Sequence, residues 1–96
     1  MAEEAVREQE ERVIRDVIDA RDRPAAIKGY EIEFGDDHSG DQAVWIWLLV
    51  KDEVQPSQEL LEQVLPFSRK LGSDLLEKRL SHWPYVRFRT WVRMAN

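Results

Sequence analysis

The run Ala43–Lys51 (AVWIWLLVK) constrains the fold more than any other stretch of these 96 residues. Eight apolar residues stand together, rich in Trp, Val and Ile, and they open from a Gly/Asp-rich loop; that is the composition and length of a strand rather than a helix. A strand apolar on both sides belongs in the middle of a sheet, because both faces must avoid water. Alternation sends Val44, Ile46, Leu48 and Val50 one way and Trp45, Trp47 and Leu49 the other. Helices can cover one of these faces. What meets the second is the functional question.

Ile27–Phe34 alternates as well, with Tyr30, Ile32 and Phe34 on one face and Gly29, Glu31 and Glu33 on the other. This predicts a half-buried edge strand. The intervening Gly35–Asp41 (GDDHSGD) is built of residues that tolerate the left-handed region or bond their own backbone, so the two strands form a hairpin. A third strand is expected over Tyr85–Met94, with Val86, Phe88, Thr90, Val92 and Met94 on one face and Tyr85, Arg87, Arg89, Trp91 and Arg93 on the other.

Two helices flank the hairpin. Val6, Val13, Ile14, Val17 and Ile18 make one buried stripe from Glu3 to about Arg21, and Pro24 ends it. Pairs such as Glu8/Arg12 and Glu11/Arg15 on the outer faces place acid before base one turn apart, as on a solvated surface. The second helix is expected from Gln58 to about Leu80, capped by Ser57. Leu61, Val64, Leu65, Ser68, Gly72, Leu75, Leu76 and Leu80 hold its inner phase. Pro66 should kink the helix or split it in two, and Gly72 should let it approach the sheet closely. The helical return makes the third strand parallel to the second. The expected architecture is a single α+β domain over residues 1–96, a two-layer α-β-β-α-β sandwich with a three-stranded mixed sheet in the order 1-2-3.

Composition narrows the function classes. There is no Cys, hence no disulfide, thiolate metal site or thiol nucleophile. The opening MAEEAVREQEER has no apolar stretch of leader type and no run approaches a membrane span, so the expected location is the cytoplasm, with no membrane partner. Net charge is −5, distributed unevenly: residues 1–50 carry 13 acidic and 6 basic side chains, whereas 69–96 carry 2 acidic and 7 basic. An acidic protein is a poor general ligand for nucleic acid, yet a basic C-terminal third can form a patch.

The second sheet face gathers Glu31, Glu33, Trp45, Trp47, Leu49, Tyr85, Arg87, Arg89, Trp91 and Arg93. Left bare, it would be an apolar patch of a kind monomers rarely show. It can serve as a homodimer or protein-partner interface, since Trp, Tyr and Arg are enriched at hot spots. It can be a platform for single-stranded RNA, with aromatics under bases and Arg on phosphates. The first helix can also cross over and bury it. Glu31 and Glu33 count against RNA and favour an acid/Arg interface with a second copy.

The order of elements, with the stretch LPFSRKLGSDLLEKRLSHWPYVRFR, resembles the C-terminal half of ribosome-binding factor A, a family with a type II KH-like fold. The comparable residues are Leu71-Gly72, Lys78-Arg79, Pro84 and Val86-Arg87-Phe88. This resemblance implies RNA binding. The same order is similar to the cytoplasmic domain of cation-efflux transporters, which implies dimerisation and divalent-metal binding.

Catalytic constellations are sparse. Asp36, Asp37, His38 and Asp41 are of metal-ligand type, and a metal-responsive module is a third reading, but their spacing fits no standard motif and a hairpin turn needs such residues anyway. His82, before Trp83-Pro84, reads as a helix-end histidine near the last carbonyls. No Gly-rich phosphate loop, H-E-x-x-H or G-x-S-x-G is present. The expectation is a non-enzymatic protein with no cofactor and no small-molecule substrate.

Overall fold

The computed structural model describes residues 2–51 and 57–91. Five elements follow in the order α1 (Ala2–Asp19), β1 (Ile27–Asp36), β2 (Gln42–Lys51), α2 (Gln58–Glu77) and β3 (Trp83–Trp91). The sheet has the order β1-β2-β3. β1 and β2 are antiparallel, with Ile32 opposite Ile46. β2 and β3 are parallel, with Ile46 opposite Val86. The α+β sandwich with its mixed sheet is the expected one, and the doubly apolar strand occupies the centre.

The core lies between this sheet and both helices. Ile14 and Ile18 of α1, Val44, Ile46 and Leu48 of β2, and Leu71 and Leu75 of α2 are all fully buried. α1 crosses β1, where the Tyr30 hydroxyl donates to Asp19 Oδ1 at 3.2 Å. α2 packs on β3, but a Cβ placed on Gly72 would meet Val86 Cγ2 at 3.9 Å, an ordinary van der Waals contact, so the close approach expected there does not depend on the missing side chain. An ion pair of Arg21 with Asp74 ties the end of α1 to α2.

Ser57 caps α2 as expected, its Oγ accepting from the Leu60 N–H at 3.0 Å. Of the two outcomes foreseen at Pro66, splitting does not occur; α2 runs through it as one element. Pro66 is exposed, so the Glu62 carbonyl that loses its intrahelical donor can be served by water. The helix stops at Glu77, three residues early, because Arg79 takes a left-handed φ of 51°. β3 in turn begins earlier than expected and includes Trp83 and Pro84. The expected strand residues Val92, Arg93 and Met94 lie outside the described residues.

The inner stripe foreseen on α2 divides into two. Val64 and Leu75 are buried with Leu60 and Leu71, while Leu61 and Leu76 are 41% and 48% exposed. The buried stripe sits a step round the helix from the expected one, because α2 faces the sheet through Leu60, Val64, Leu71 and Leu75.

Candidate interaction face

Because both helices contribute to one core on one side of the sheet, α1 does not cross to bury the aromatics. Ile14, Val17 and Ile18 of its expected stripe join the core with Tyr30, Phe34 and the even-numbered β2 residues. Val6, also expected to be buried, is 38% exposed because the N-terminal part of α1 lies beyond that core. The opposite face therefore carries Glu31 and Glu33 from β1, Trp45, Trp47 and Leu49 from β2, and Tyr85, Arg87 and Arg89 from β3, placed there by register. Trp45, Trp47 and Leu49 are half-buried. Trp91 ends β3 opposite Lys51, but its side chain, like all of Arg93, lies outside what is described.

Two layers of contact organise this face. The Trp45 ring stacks on Tyr85, centroids 5.8 Å apart and planes 19° from parallel. Gly35 makes room for it, since a Cβ there would come within 3.3 Å of the indole. The Arg87 guanidinium lies 5.1 Å from the Tyr85 centroid. The Arg89 guanidinium lies 4.1 Å from the Trp47 centroid, and its Nη1 reaches Glu31 Oε2 at 3.3 Å. Arg89 thus bridges the central strand above Trp47 and meets β1 on the far side. Both partners of this ion pair are about half exposed, so pair and cation–π contact are each worth at most about 1 kcal/mol. Beneath this bridge Trp47 Nε1 is buried without a hydrogen-bond partner.

The loop between β1 and β2 joins the face at one end. Asp37 Oδ1 accepts the N–H groups of Ser39 and Asp41 at 2.9 and 3.0 Å, and Oδ2 accepts the Tyr85 hydroxyl at 3.0 Å. Loss of surrounding water pushes the Asp37 carboxyl up, but the Asp41 N–H, Tyr85 and Ser39 bonds outweigh it and hold the group below the usual aspartate range. The same hydrogen bond to Asp37 raises the Tyr85 phenol. Asp37 is therefore the keystone of a turn, with Gly40 at φ 83° completing it. Among the described residues no three His, Cys, Asp or Glu side chains gather as metal ligands, at Asp36, Asp37, His38 and Asp41 or elsewhere. No helix among them is long and apolar enough to cross a membrane.

His82 is placed differently from expectation. It is 2% exposed and does not serve the end of α2. Its Nδ1 lies 2.7 Å from Glu10 Oε1, while Glu10 Oε2 accepts the Ser81 N–H at 2.6 Å and the Ser81 hydroxyl at 2.7 Å. A carboxylate only accepts, so Nδ1 carries the proton. Ser81 Oγ lies 3.3 Å from that same nitrogen, and Nε2 is buried without a partner. In a hydrolytic triad the serine and the acid occupy opposite ring nitrogens; here they share one, which makes the cluster a latch between α1 and the start of β3. No local signature marks it, since Glu10 and His82 are 72 positions apart. Comparison with protein-family models, with curated proteins and with solved structures finds no match for this chain.

Proposed function

We propose that this protein is a non-enzymatic, cytoplasmic interaction module that self-associates through the uncovered sheet face. The observation carrying this reading is that both helices pack on one side, leaving Trp45, Trp47 and Leu49 without a covering layer among the described residues. A sheet apolar on both faces normally has both covered.

The charge layout supports a second copy as the covering layer. Acid lies along β1 (Glu31, Glu33), arginine along β3 (Arg87, Arg89), and the aromatic row runs between them. A two-fold axis parallel to β2 lays β1 of each copy over β3 of the other, so acid meets arginine twice and the central rows meet each other. An axis across the strands would instead stack acid on acid. Face-to-face sheets lie about 10 Å apart, a gap these side chains fill. Arg89 then exchanges its exposed bond to Glu31 for one to the second copy, in a drier setting where it is stronger.

Sedimentation equilibrium over a range of concentration and salt tests this, with Leu49→Asp as the face variant and circular dichroism as the check on folding. The expected result is a dimer that weakens with salt and a folded, monomeric Leu49→Asp protein. Wild type monomeric at every concentration would overturn the reading. Salt-sensitive binding of single-stranded RNA by that monomer would move the same residues to the RNA platform.

A further inference from the structure

Register decides which charges can meet when two copies associate through the aromatic face. Across the sheet, Arg87, Trp47 and Glu31 stand at one level, and Tyr85, Trp45 and Glu33 at the next. Arg89 starts one level further back, beside Leu49, and slants forward by one step over Trp47 to reach Glu31 at 3.3 Å. The equivalent bridge one step along would run from Arg87 over Trp45 to Glu33. It does not form. The Arg87 guanidinium lies 5.1 Å from the Tyr85 centroid, Tyr85 is itself stacked on Trp45, and Arg87 Nη1 donates to the Val86 carbonyl at 3.1 Å. Arg87 and Glu33 are both exposed, and neither has an ion-pair partner among the described residues.

We propose that Arg87 of each copy pairs with Glu33 of the other, and that this contact, made twice, determines which way round two copies associate. The inference rests on the self-association reading. A two-fold axis parallel to β2 keeps every residue at its own level, so Arg87 comes over Glu31 of the second copy, with Glu33 one step away. One step is the slant that Arg89 already shows within a copy. The same slant takes Arg89 to Glu31 of the second copy and Arg87 to its Glu33. No carboxylate is then claimed by two arginines, and none of the four charges is left over.

The Trp45–Tyr85 stack is what makes the pair intermolecular. It occupies the face between β1 and β3 at the level of Glu33, so the two charges are kept apart within one sheet and each is left to a neighbour. Charges at the margin of an interface add orientation and discrimination more than affinity. An axis across the strands would set arginine on arginine as well as acid on acid, and that repulsion excludes the wrong arrangement.

Charge exchange tests this. Glu33→Arg places like positive charges at both contacts of its own dimer, and Arg87→Glu places like negative charges there. A 1:1 mixture of the two variants restores opposite charges at both contacts, as does the double variant Glu33→Arg/Arg87→Glu. Sedimentation equilibrium at low salt, with circular dichroism as the check on folding, should show each single variant associating at least ~10-fold more weakly than wild type. The mixture and the double variant should recover most of that loss. A wild-type dimer whose single variants associate as tightly, or whose mixture associates no better than its components, would overturn the pairing and leave self-association standing. Wild type monomeric at every concentration would overturn both together.

Discussion

Glu10 Oε1 lies 2.7 Å from His82 Nδ1, and this bond joins the middle of α1 to the residue before β3. The same carboxylate accepts both the backbone N–H and the hydroxyl of Ser81. One acid thereby fixes where the last strand enters the sheet, and with it the position of Tyr85, Arg87 and Arg89.

The latch has a pH signature. Burial pushes the Glu10 carboxyl up, but the Ser81 N–H, the Ser81 hydroxyl and His82 together outweigh it and hold the group below the usual glutamate value of 4.5. A carboxyl depressed in the folded state contributes stability above its unfolded value and loses it as pH falls through the folded one. The protein should therefore lose stability on acidification below about pH 4.5. Glu10→Gln should be less stable at pH 7 and show a flatter acid limb. Urea melts of both proteins between neutral and acid pH measure the difference.

Arg89 should protect Trp47 more than it stabilises the fold. Its guanidinium covers the indole at 4.1 Å, yet an exposed cation–π contact is worth only about 0.5–1 kcal/mol. In the Leu49→Asp background, where self-association is expected to be lost, Arg89→Ala should lower stability by no more than ~1 kcal/mol while acrylamide quenching of tryptophan fluorescence rises. Unchanged quenching would show that the bridge over Trp47 does not persist in solution.

Tyr85 should ionise later than a free tyrosine, because its hydroxyl donates to Asp37 and must give up that bond to lose its proton. Asp37→Asn removes the charge while keeping a side-chain oxygen for the turn. Ultraviolet titration of the phenolate should show the Tyr85 transition move back toward the ordinary value in Asp37→Asn, with Tyr85→Phe identifying which of the two tyrosines is responsible.

The end of α2 offers a stabilising change. Arg79 holds φ at 51°, a conformation that costs a residue with a Cβ about 1 kcal/mol and glycine almost nothing. Arg79 N still bonds the Leu76 carbonyl at 3.2 Å, so the backbone pattern needs the conformation but not the side chain. Arg79→Gly should raise stability by up to about 1 kcal/mol, readable as a higher thermal midpoint.

Much of the fold was legible in the chain because it rests on local rules. An eight-residue apolar run belongs in the middle of a sheet, the Gly/Asp-rich segment turns the chain into a hairpin although its first residues, Gly35 and Asp36, still extend β1, and Ser57 before a helical stripe caps it; each of these is a property of neighbours in sequence. Alternation alone was enough to send Trp45 and Trp47 to the face opposite Ile46, and Glu31 and Arg89 to that same face.

What only the tertiary structure decided is how those faces are used. The exact phase of α2 depends on where the helix lands on the sheet, so Leu61 and Leu76, equal to Val64 and Leu75 in pattern, finish exposed. Burial of His82 depends on a carboxylate 72 positions away, and the covering of Trp47 depends on an arginine reaching over from β3. Sequence periodicity records which way a side chain points. It does not record what arrives from a distant element to meet it, because that is set by how whole helices and strands pack, and only there do Glu10 with His82 and Arg89 with Trp47 become neighbours.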